Sequence, residues 1–378
     1  MNAFLKNYRM KIHTLAPVFI GDGSKIGKKE YIYLPWEHRI IIPDLGKMYE
    51  ALSKAGKRNA YEKYMLENSR EDLSVWLKQQ GISKREYDQW KQYEIDAGEI
   101  PLTGDQFRSV KAKEIASFIK DAYGLPYVPG SSIKGMFRTA LLAYEIRHNP
   151  EKYRGVVANI KENVRKTAGR TVFLSRETEE MESTAFHKYY SDVAREETRL
   201  KDAVNDSLAG LRVSDSEPVP LKSLALSQKI DLSLDGREKP LPILRETLSP
   251  ETDIFFEVTI DSSMCPYGIE DILNALSEFQ SICYDSFYSR FRRGSRDKDV
   301  VWLGGGTGFL SKTVLYPLFG KDAVRVTDQV LRNTLGKKYV EHKHNKDLSL
   351  GIAPHVCKCT RYGGTLHDMG MARIEWLR

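Results

Sequence analysis

Residues 125–138 have the composition of a phosphate-binding turn. Gly130 follows two prolines, and Ser131 or Ser132 can serve as the N-cap of a helix that runs to about Arg147. A helix that begins in this way directs free backbone N–H groups and the positive end of its dipole at one point, which suits a phosphate group. The same residues fit a plain capped helix, so the pattern alone leaves both interpretations open.

The first turns of this helix add positive charge on one side. Lys134 and Arg138 lie one turn apart and point away from the predicted apolar face. That face contains Ile133 and Phe137, whose spacing predicts burial against a sheet. Gly135, between the two cations, costs a helix interior about 1 kcal/mol relative to Ala. The glycine is explained if another backbone approaches the helix at this position. The alternative explanation is that it permits tight packing within the chain.

A second glycine-rich segment follows a short buried strand at residues 300–303. It contains four glycines and, shortly after them, a lysine: Gly304, Gly305, Gly306, Gly308 and Lys312. Such a segment offers a backbone surface that a bulky chain can touch without obstruction by side chains. It is not a nucleotide P-loop, because Phe309 and Leu310 follow where the Walker pattern needs Gly-Lys-Ser/Thr. A flexible connector is the alternative interpretation.

A basic run precedes the glycine-rich segment. Its basic residues are Arg290, Arg292, Arg293, Arg296 and Lys298, against one acidic residue, Asp297. Tyr288 and Phe291 are interleaved with them, so the run could neutralise phosphates while an aromatic ring stacks on a base. A solvated basic turn is the alternative explanation.

Histidines and cysteines toward the C-terminal end raise the question of a metal site. They are His342, His344, His355, Cys357, Cys359 and His367. Cys-x-Cys is a less typical zinc spacing than Cys-x2-Cys, and in a strand at 356–360 both cysteines would simply point to the same face. We therefore expect no metal and no cofactor.

Catalytic residues are not evident from the sequence either. His13 and His38 are scattered, and Asp22 lies in a glycine-rich stretch. No histidine has a base or an orienting group at a spacing in the sequence that would indicate a catalytic pair. We therefore expect no catalytic residue in this chain.

The elements that must hold these segments include both strands and helices, so the chain is expected to be a mixed α and β protein. The pattern predicts strands at 8–13, 31–34, 39–42, 254–260, 300–303 and 371–376, and helices at 131–147, 268–291 and 328–335. Residues 21–27 are predicted to form a turn, and residues 44–120, which are rich in helix formers, a helical insertion. A boundary between two domains is expected near residues 214–220.

The bulk composition favours two soluble domains. With 378 residues the chain is too long for one small core. Its net charge of +7 favours polyanions if the charges cluster. Four cysteines are too few for a disulfide framework, so a reducing cytoplasm is expected. No apolar stretch is long enough to span a membrane, and residues 1–10 lack the apolar core of a signal peptide.

Four segments together resemble the RAMP superfamily of CRISPR proteins. They are Thr14–Gly23, Tyr127–Gly135, Gly210–Ser216 and Gly304–Gly308. The Pro-Gly-Ser-Ser-x-Lys-Gly element in the second segment is the most specific of them. The order and spacing of the segments are most similar to those of the subunit-five family of type III-A (Csm) effector complexes, and the resemblance extends from Thr14 to Trp376.

The resemblance implies two ferredoxin-like (RRM-like) domains, residues 1–210 with the helical insertion and residues 211–378 with the glycine-rich loop. It implies a non-catalytic subunit that binds crRNA near its 3′ end and caps the backbone of the complex beside a repeated RAMP subunit. A role in antiviral defence, and in crRNA maturation through recruited host nucleases, is implied as well. Members often carry His where this chain has Phe19, so the role of that His is not carried over.

The residues expected to bind RNA follow from the resemblance and from the segments above. They are Gly21, Gly23, Lys25, Gly130, Ser131, Ser132, Lys134, Gly135, Arg138, Arg290, Arg292, Arg293, Arg296, Gly304, Gly305, Gly306 and Lys312. The main alternative is an endoribonuclease of the same superfamily that processes precursor crRNA with His13 or His38 as general base. A zinc-stabilised scaffold without RNA contact is a third hypothesis, which predicts loss of the fold on chelation.

Overall fold

A computed structural model describes residues 4–67, 71–98, 100, 102, 113–166 and 173–377. Its strands are β1 (Leu5–Thr14), β2 (Gly21–Ile26), β3 (Ile32–Leu34), β4 (Arg39–Pro43), β5 (Lys91–Asp96), β6 (Ile115–Phe118), β7 (Leu211–Val213), β8 (Leu224–Ser233), β9 (Glu238–Leu248), β10 (Asp253–Asp261), β11 (Val300–Trp302), β12 (Val356–Tyr362), β13 (Thr365–Asp368) and β14 (Met371–Leu377). Its helices are α1 (Leu45–Lys54), α2 (Arg58–Leu66), α3 (Leu73–Gln79), α4 (Lys84–Trp90), α5 (Gly130–His148), α6 (Arg154–Asn163), α7 (Ser175–Phe186), α8 (Asp192–Glu197), α9 (Ile269–Ser286), α10 (Leu315–Phe319), α11 (Ala323–Leu335), α12 (Lys338–Glu341) and α13 (Asp347–Leu350). No helix within the described ranges is long and apolar enough to cross a membrane.

Five strands form an antiparallel sheet in the order β11-β14-β1-β10-β7. With α5 after β1 and α9 after β10, the strands β1, β7, β10 and β14 follow the β-α-β-β-α-β order of a ferredoxin-like unit, and β11 adds an edge. The helices α5 and α9 pack against each other and share one core with this sheet, in which Ile133, Phe137 and Phe256 are buried. The predictions for β1, β10, β11, β14, α5 and α9 are confirmed.

Strand β1 shows how the sequence pattern determines this sheet. Met10 and Ile12 are fully buried, whereas Arg9, Lys11 and His13 lie on the other face. On that outer face the three basic residues pair across strands with acidic residues of β10 and β14. The alternation of apolar and charged residues therefore fixes which face of β1 is buried.

The second sheet contains the remaining described strands. Seven of them follow the order β2-β6-β9-β8-β5-β4-β3, and the hairpin of β12 and β13 joins at β8. The strands predicted at 31–34 and 39–42 are confirmed as β3 and β4, which pair as a hairpin with Ile32 opposite Ile41. The long β8-β9 hairpin at its centre is not among the predicted elements, although Asp235-Gly236 between alternating segments is a hairpin signal.

Both sheets take strands from each side of residue 210. β1 pairs with β10 and β14, while β5 and β6 pair with β8 and β9. One continuous hydrophobic core contains residues of both sheets, among them Met10, Ile12, Leu226 and Leu244. The fold is therefore mixed α+β with two sheets. The division into domains 1–210 and 211–378 stays a prediction.

Helices α1–α4 form most of the predicted helical insertion. They bury a small core of their own against β3 and β4, which includes Met48 and Trp76. The insertion ends earlier than predicted, because Lys91–Asp96 forms β5 and Ile115–Phe118 forms β6. Alternate residues of β5 are buried, a strand period that the polar composition of the segment concealed. Residues 103–112 of the predicted insertion lie outside the described residues.

Residues 21–26 form the edge strand β2, and the prediction of a turn there is wrong. β2 pairs with β6 through an irregularity between Gly21 and Lys25. Within it, Gly23 has a φ of 90°, in the region that favours glycine. The glycine-rich composition therefore marks a bulged edge strand.

Candidate nucleic-acid interface

α5, β2 and the loop after β11 meet at an open groove of about 420 Å³. Six of the residues expected to bind RNA line it: Gly21, Ser132, Gly135, Gly304, Gly305 and Lys312. These residues are far apart in the sequence and belong to, or directly follow, three of the four segments that resemble the RAMP superfamily. The fold therefore brings those three segments to one surface.

Gly135 lies on the exposed side of α5 and faces the groove. A Cβ added to it would have no neighbouring atom within 4 Å, so the described chain does not pack against this glycine. Tight packing, the alternative explanation for a glycine inside this helix, is therefore wrong. A residue that weakens a helix yet packs against nothing leaves room for a partner outside the chain.

The N-terminal end of α5 is closed by the chain itself. Pro129 is the N-cap residue, and neither Ser131 nor Ser132 caps the helix through its side chain. The backbone N–H of Gly130 instead donates to Oδ1 of Asp215 over 2.8 Å. The predicted serine cap is wrong, because the segment after β7 already supplies the anion that this helix end attracts.

Lys134 and Arg138 are not free surface charges. The ammonium of Lys134 donates to the carbonyl oxygen of Leu208 over 2.7 Å. Arg138 donates to Glu182 over 2.8 Å and to Asp206 over 2.7 Å. Both side chains therefore fasten α5 to α7 and to the turn before β7, and the expectation that they lie on a free face of the helix is wrong.

The pKa shifts of this pair reflect its surroundings. Burial lowers the pKa of Lys134, and the nearby Asp206 opposes that effect. Burial alone would lower the pKa of Arg138 too, but its hydrogen bonds with Glu182 and Asp206 outweigh burial and raise it. A guanidinium held by two carboxylates retains little charge for an external phosphate.

The glycines at the edges of the groove are needed for packing within the chain. A Cβ on Gly130 would clash with the backbone oxygen of Val213, and one on Gly304 with the backbone oxygen of Phe19. The N–H of Gly305 donates to that same oxygen of Phe19 over 2.7 Å. Gly304 and Gly305 also line the groove, so packing and an open backbone surface are both features of the glycine-rich loop, whereas Gly130 is buried.

The glycine-rich loop is held on both sides. The hydroxyl of Tyr288 donates to the carbonyl oxygen of Thr307 over 3.3 Å, and Thr307 itself is buried. The Tyr288 ring stacks on Trp302 at the end of β11, with ring centroids 4.1 Å apart. Interpretation of this loop as a flexible connector is therefore wrong.

The basic run after α9 is largely bound within the chain. Arg290 donates to carbonyl oxygens at the end of α13, and Arg293 forms an ion pair with Asp368 over 2.7 Å. Arg296 lies 3.8 Å from Asp285. These contacts fasten the segment to its neighbours in the fold.

The aromatic residues of the basic run belong to the core. Tyr288 is 2% exposed and Phe291 is 7% exposed, so the prediction that one of them stacks on a base is wrong. The side chain of Arg292 is exposed and makes no hydrogen bond or ion pair with the residues that the structure describes. Within the run, this arginine is the one most available to an external anion.

Gly23 and Lys25 lie on the exposed edge strand β2, next to the groove. Lys25 forms an ion pair with Glu114 over 2.7 Å. Asp22 accepts hydrogen bonds from Ser24 and from Ser117 across the strand pair. Burial acts to raise the pKa of Asp22, but these hydrogen bonds lower it below its ordinary value.

Two buried clusters contain most of the potential metal ligands. They are Cys357, Cys359 and Asp368, and His344, Asp347 and His355. In the first cluster Asp368 already pairs with Arg293, whose charge opposes a metal ion. In the second, Nδ1 of each histidine lies within hydrogen-bond distance of a different oxygen of Asp347. The prediction that both cysteines lie on one face of a strand is confirmed.

The two histidines considered as general bases lie outside the lining of the groove. Nδ1 of His13 lies 2.7 Å from Asp253, and Nδ1 of His38 lies 2.8 Å from the carbonyl oxygen of Gly98. Asp253 is an orienting carboxylate that spacing could not reveal, because the pairing of β1 with β10 places it beside His13.

Arg245 is a candidate that sequence interpretation missed. Its guanidinium carbon lies 5.2 Å from the ring centroid of Phe19, next to Gly306 of the glycine-rich loop. The only local sign is a cation at an alternating position of a strand, between buried Leu244 and Glu246. Because β9 itself was not predicted, that sign could not be used.

A family model gives the class of this protein. The model of the RAMP superfamily matches residues 11–309, which is most of the chain. The chain belongs to the RAMP superfamily.

Its relatives within the superfamily are Csm5 proteins. The chain is 30% identical to the CRISPR system Cms protein Csm5 of Mycobacterium tuberculosis, over 99% of this chain and 99% of that protein. It is 28% identical to the protein of the same name from Streptococcus thermophilus, over 82% of this chain and 80% of that protein. The family of this chain is therefore that of the Csm5 proteins.

Two solved structures share its fold. A chain in the cryo-EM structure of a Csm-crRNA-target RNA ternary complex of a type III-A CRISPR-Cas system aligns with a TM-score of 0.64 at 21% identity, over 98% of this chain and 100% of that one. The crystal structure of T. onnurineus Csm5 aligns with a TM-score of 0.60 at 20% identity, over 96% of this chain and 99% of that one. The two-sheet α+β architecture is thus shared along the whole chain.

Proposed function

We propose that this chain is a non-catalytic RNA-binding subunit of a type III-A CRISPR (Csm) effector complex and holds the guide RNA backbone in the groove between α5 and the glycine-rich loop. The observation that carries the proposal is the open side of Gly135, which faces a groove bordered by further glycines. The names of the relatives support it, since they are Csm5 proteins of a CRISPR system. So does the similar chain in a complex that contains crRNA.

The lining of the groove suits a sugar-phosphate backbone. Glycines on both sides leave peptide groups within reach, and the hydroxyl of Ser132 can donate to a phosphate oxygen. The hydroxyls of Thr139 and Ser311 also line the groove but already donate within the chain, to the carbonyl oxygen of Gly135 and to the hydroxyl of Thr307. Lys312 adds one positive charge. Contacts of this kind position an RNA without reading its bases, so the groove accepts guides of different sequence.

Binding without cleavage fits the chemistry of the groove. Along its described lining, Lys312 is the one side chain that carries a charge, and histidine, aspartate and glutamate are missing. An endoribonuclease that uses a general base needs such a group within hydrogen-bond reach of the attacking hydroxyl. His13, the one candidate with an orienting carboxylate, is paired with Asp253 on the outer face of the five-stranded sheet.

The same proposal includes the place of the chain in the complex. It caps the backbone at the crRNA 3′ end, adjoins a repeated RAMP subunit, and thereby takes part in antiviral defence. Maturation of crRNA through recruited host nucleases rests on the family resemblance alone.

Gly135→Val tests the proposal directly. The branched side chain fills the open side of α5 and should lower the affinity for single-stranded RNA at least tenfold, measured by fluorescence anisotropy with several sequences. Gly155→Val is the matched control, because Gly155 is also an exposed helical glycine with no atom within 4 Å of an added Cβ. Val is a slightly better helix former than Gly, so neither variant should be less stable than the wild type.

Two results would contradict the proposal. Equal RNA affinity for the Gly135 and Gly155 variants would show that the groove does not hold RNA. Cleavage products that disappear with His13→Ala would instead favour the endoribonuclease.

A further inference from the structure

Arg245 is a half-buried cation without an anionic partner. It lies on β9 with its guanidinium over the Phe19 ring, at 5.2 Å from guanidinium carbon to ring centroid. A Cβ on Gly306 would lie 2.5 Å from its terminal nitrogen, so the loop backbone covers it closely. Among the described residues, the side chain of Arg245 finds neither a hydrogen-bond partner nor a carboxylate. Burial lowers its pKa, and no neighbouring carboxylate opposes that effect.

The adjacent carboxylate cannot neutralise Arg245. Glu246 points to the opposite face of β9, where it is fully buried. There it accepts hydrogen bonds from the hydroxyl of Tyr93, from the N–H of Phe118 and from the ammonium of Lys120. Arg245 and Glu246 therefore lie on opposite faces of the sheet and do not pair with each other.

Lys229 and Lys312 lie close enough to Arg245 for its charge to act on them, and Lys358 lies beside Lys229. Lys229 and Lys358 both lie near Asp231, at 4.0 Å and 2.8 Å, so one carboxylate serves two ammonium groups. Burial lowers the pKa of Lys229, and the charges of Lys358 and Arg245 lower it further. Burial and the charge of Arg245 likewise lower the pKa of Lys312. Among the described residues, Asp231 is thus the one carboxylate that pairs with any of these four cations.

A buried or half-buried charge is costly to hold without a counter-charge, and proteins usually supply one. Here Gly306 and Gly308 lie against Arg245 and Lys358, and both have φ values in the region that favours glycine. The loop thus covers the cations without side chains of its own. The cluster therefore carries more positive charge than the described carboxylates beside it can neutralise.

We propose that Arg245, Lys229, Lys358 and Lys312 form a pocket beneath the glycine-rich loop that binds a phosphate group. The pocket rests on the proposed function, in which the phosphate is a phosphodiester of the RNA as it passes from the groove over Lys312. The guanidinium of Arg245 is planar, and its fork of N–H donors matches two phosphate oxygens. Inorganic phosphate offers the same oxygens and is the other source of the ligand.

Arg245→Gln tests the pocket, with Arg237→Gln as the matched control. Arg237 lies at the exposed tip of the β8-β9 hairpin, so Arg237→Gln removes one positive charge near β9 and leaves the residues of the pocket unchanged. In the full chain, Arg245→Gln should weaken RNA binding about tenfold. The slope of log Kd against log salt should fall by about 0.7, as for one phosphate contact on a single strand. If Arg245→Gln does not fold, Lys229→Gln tests the same pocket, with RNA affinity and salt slope measured in the same way.

The two sources of phosphate are distinguished by a second measurement. Thermal unfolding with inorganic phosphate, compared with equal ionic strength of chloride, should stabilise the wild type and the Arg237 variant but not the Arg245 variant. If the wild type binds no RNA yet shows this stabilisation, the pocket stands as a site for free phosphate while the proposed RNA function fails.

One pattern of results overturns the pocket and leaves the proposed function intact. In it, the wild type binds RNA, Gly135→Val abolishes binding, and Arg245→Gln and Lys229→Gln keep the affinity and salt slope of the Arg237 control. Absence of both RNA binding and phosphate stabilisation in the wild type would overturn the pocket and the function together.

Discussion

Two cationic regions flank the groove, and they differ in where their charges are bound. On α5, Lys134 and Arg138 donate to a carbonyl oxygen and to two carboxylates of the chain itself. Behind the glycine-rich loop, Arg245 and Lys312 have no acidic partner among the described residues, and burial lowers the pKa of both. The first region uses its charge to hold the fold together, and the second retains a charge that, in our proposal, binds a phosphate group.

This difference shows what identifies a binding surface. The cations of α5 cluster in the sequence around a recognisable motif, yet they are satisfied internally. Arg245 and Lys312 lie 67 positions apart and cluster only in the folded chain. An excess of unpaired charge in the structure is therefore a better indicator of anion binding than an excess of charge in the sequence.

Arg138→Ala should have the largest effect on stability. It leaves Glu182 and Asp206 without their common donor, and hydrogen bonds to charged groups contribute about 1.5–3 kcal/mol. Because all three side chains are partly exposed, we expect a loss of about 2 kcal/mol in urea unfolding. RNA affinity, measured below the transition, should stay within twofold of the wild type. A large loss of affinity with unchanged stability would reverse the comparison and make Arg138 the RNA contact.

The carboxylate of Asp347 is a charge that the chain itself pairs, as it does the cations of α5, and its contribution to stability should depend on pH. Asp347 is fully buried between His344 and His355; burial acts to raise its pKa, but the two histidines lower it below the ordinary value of 3.8. A carboxyl whose folded pKa is below its unfolded pKa stabilises the fold above about pH 4, and this contribution is lost as pH falls through the folded pKa. The stability difference between wild type and Asp347→Asn should therefore be present at pH 6 and shrink below pH 4.

Asp88→Asn, at an exposed carboxylate, is the control for that measurement. Its unfolding free energy should follow the wild type closely at every pH. If the difference for Asp347→Asn is the same at pH 6 and at pH 3, the carboxylate contributes no charge-dependent stability and the histidine cluster needs another explanation.

The sequence predicts best where local periodicity decides the structure. β1, α5, α9 and β14 follow from the alternation or helical spacing of their apolar residues, which are buried as expected, for example Met10, Ile12 and Phe137. β5 was misassigned because its Glu- and Lys-rich surroundings resemble a helix, while pairing with β4 makes it a strand. Tertiary pairing overrides local preference there.

The sequence predicts the glycines of the candidate site, but it does not predict which of the nearby cations are free to bind a ligand. The segments around Gly135 and Gly304 were identified, and they meet at the groove. The partners of each cation depend on contacts between distant residues, such as Arg138 with Asp206 or Arg293 with Asp368. Spacing along the chain carries no information about such contacts, so the predicted charge surface included residues that the fold already uses.

Lys312→Ala should have the smallest effect on stability. It should still distinguish the two cationic regions, because it should weaken RNA binding. Although burial of its ammonium group lowers its pKa, the residue as a whole is exposed to solvent and forms no ion pair within the described residues, so its loss should change the free energy of unfolding by less than about 0.5 kcal/mol. It lies in the groove and its charge acts on Arg245, so its loss should weaken RNA binding several-fold and lower the salt slope by about 0.7. Lys298→Ala is the control, because Lys298 is an exposed lysine of the basic run, outside the groove. If Lys298→Ala lowers the salt slope and Lys312→Ala does not, the RNA follows the basic run with Arg292, and the free charge behind the glycine-rich loop serves a different anion.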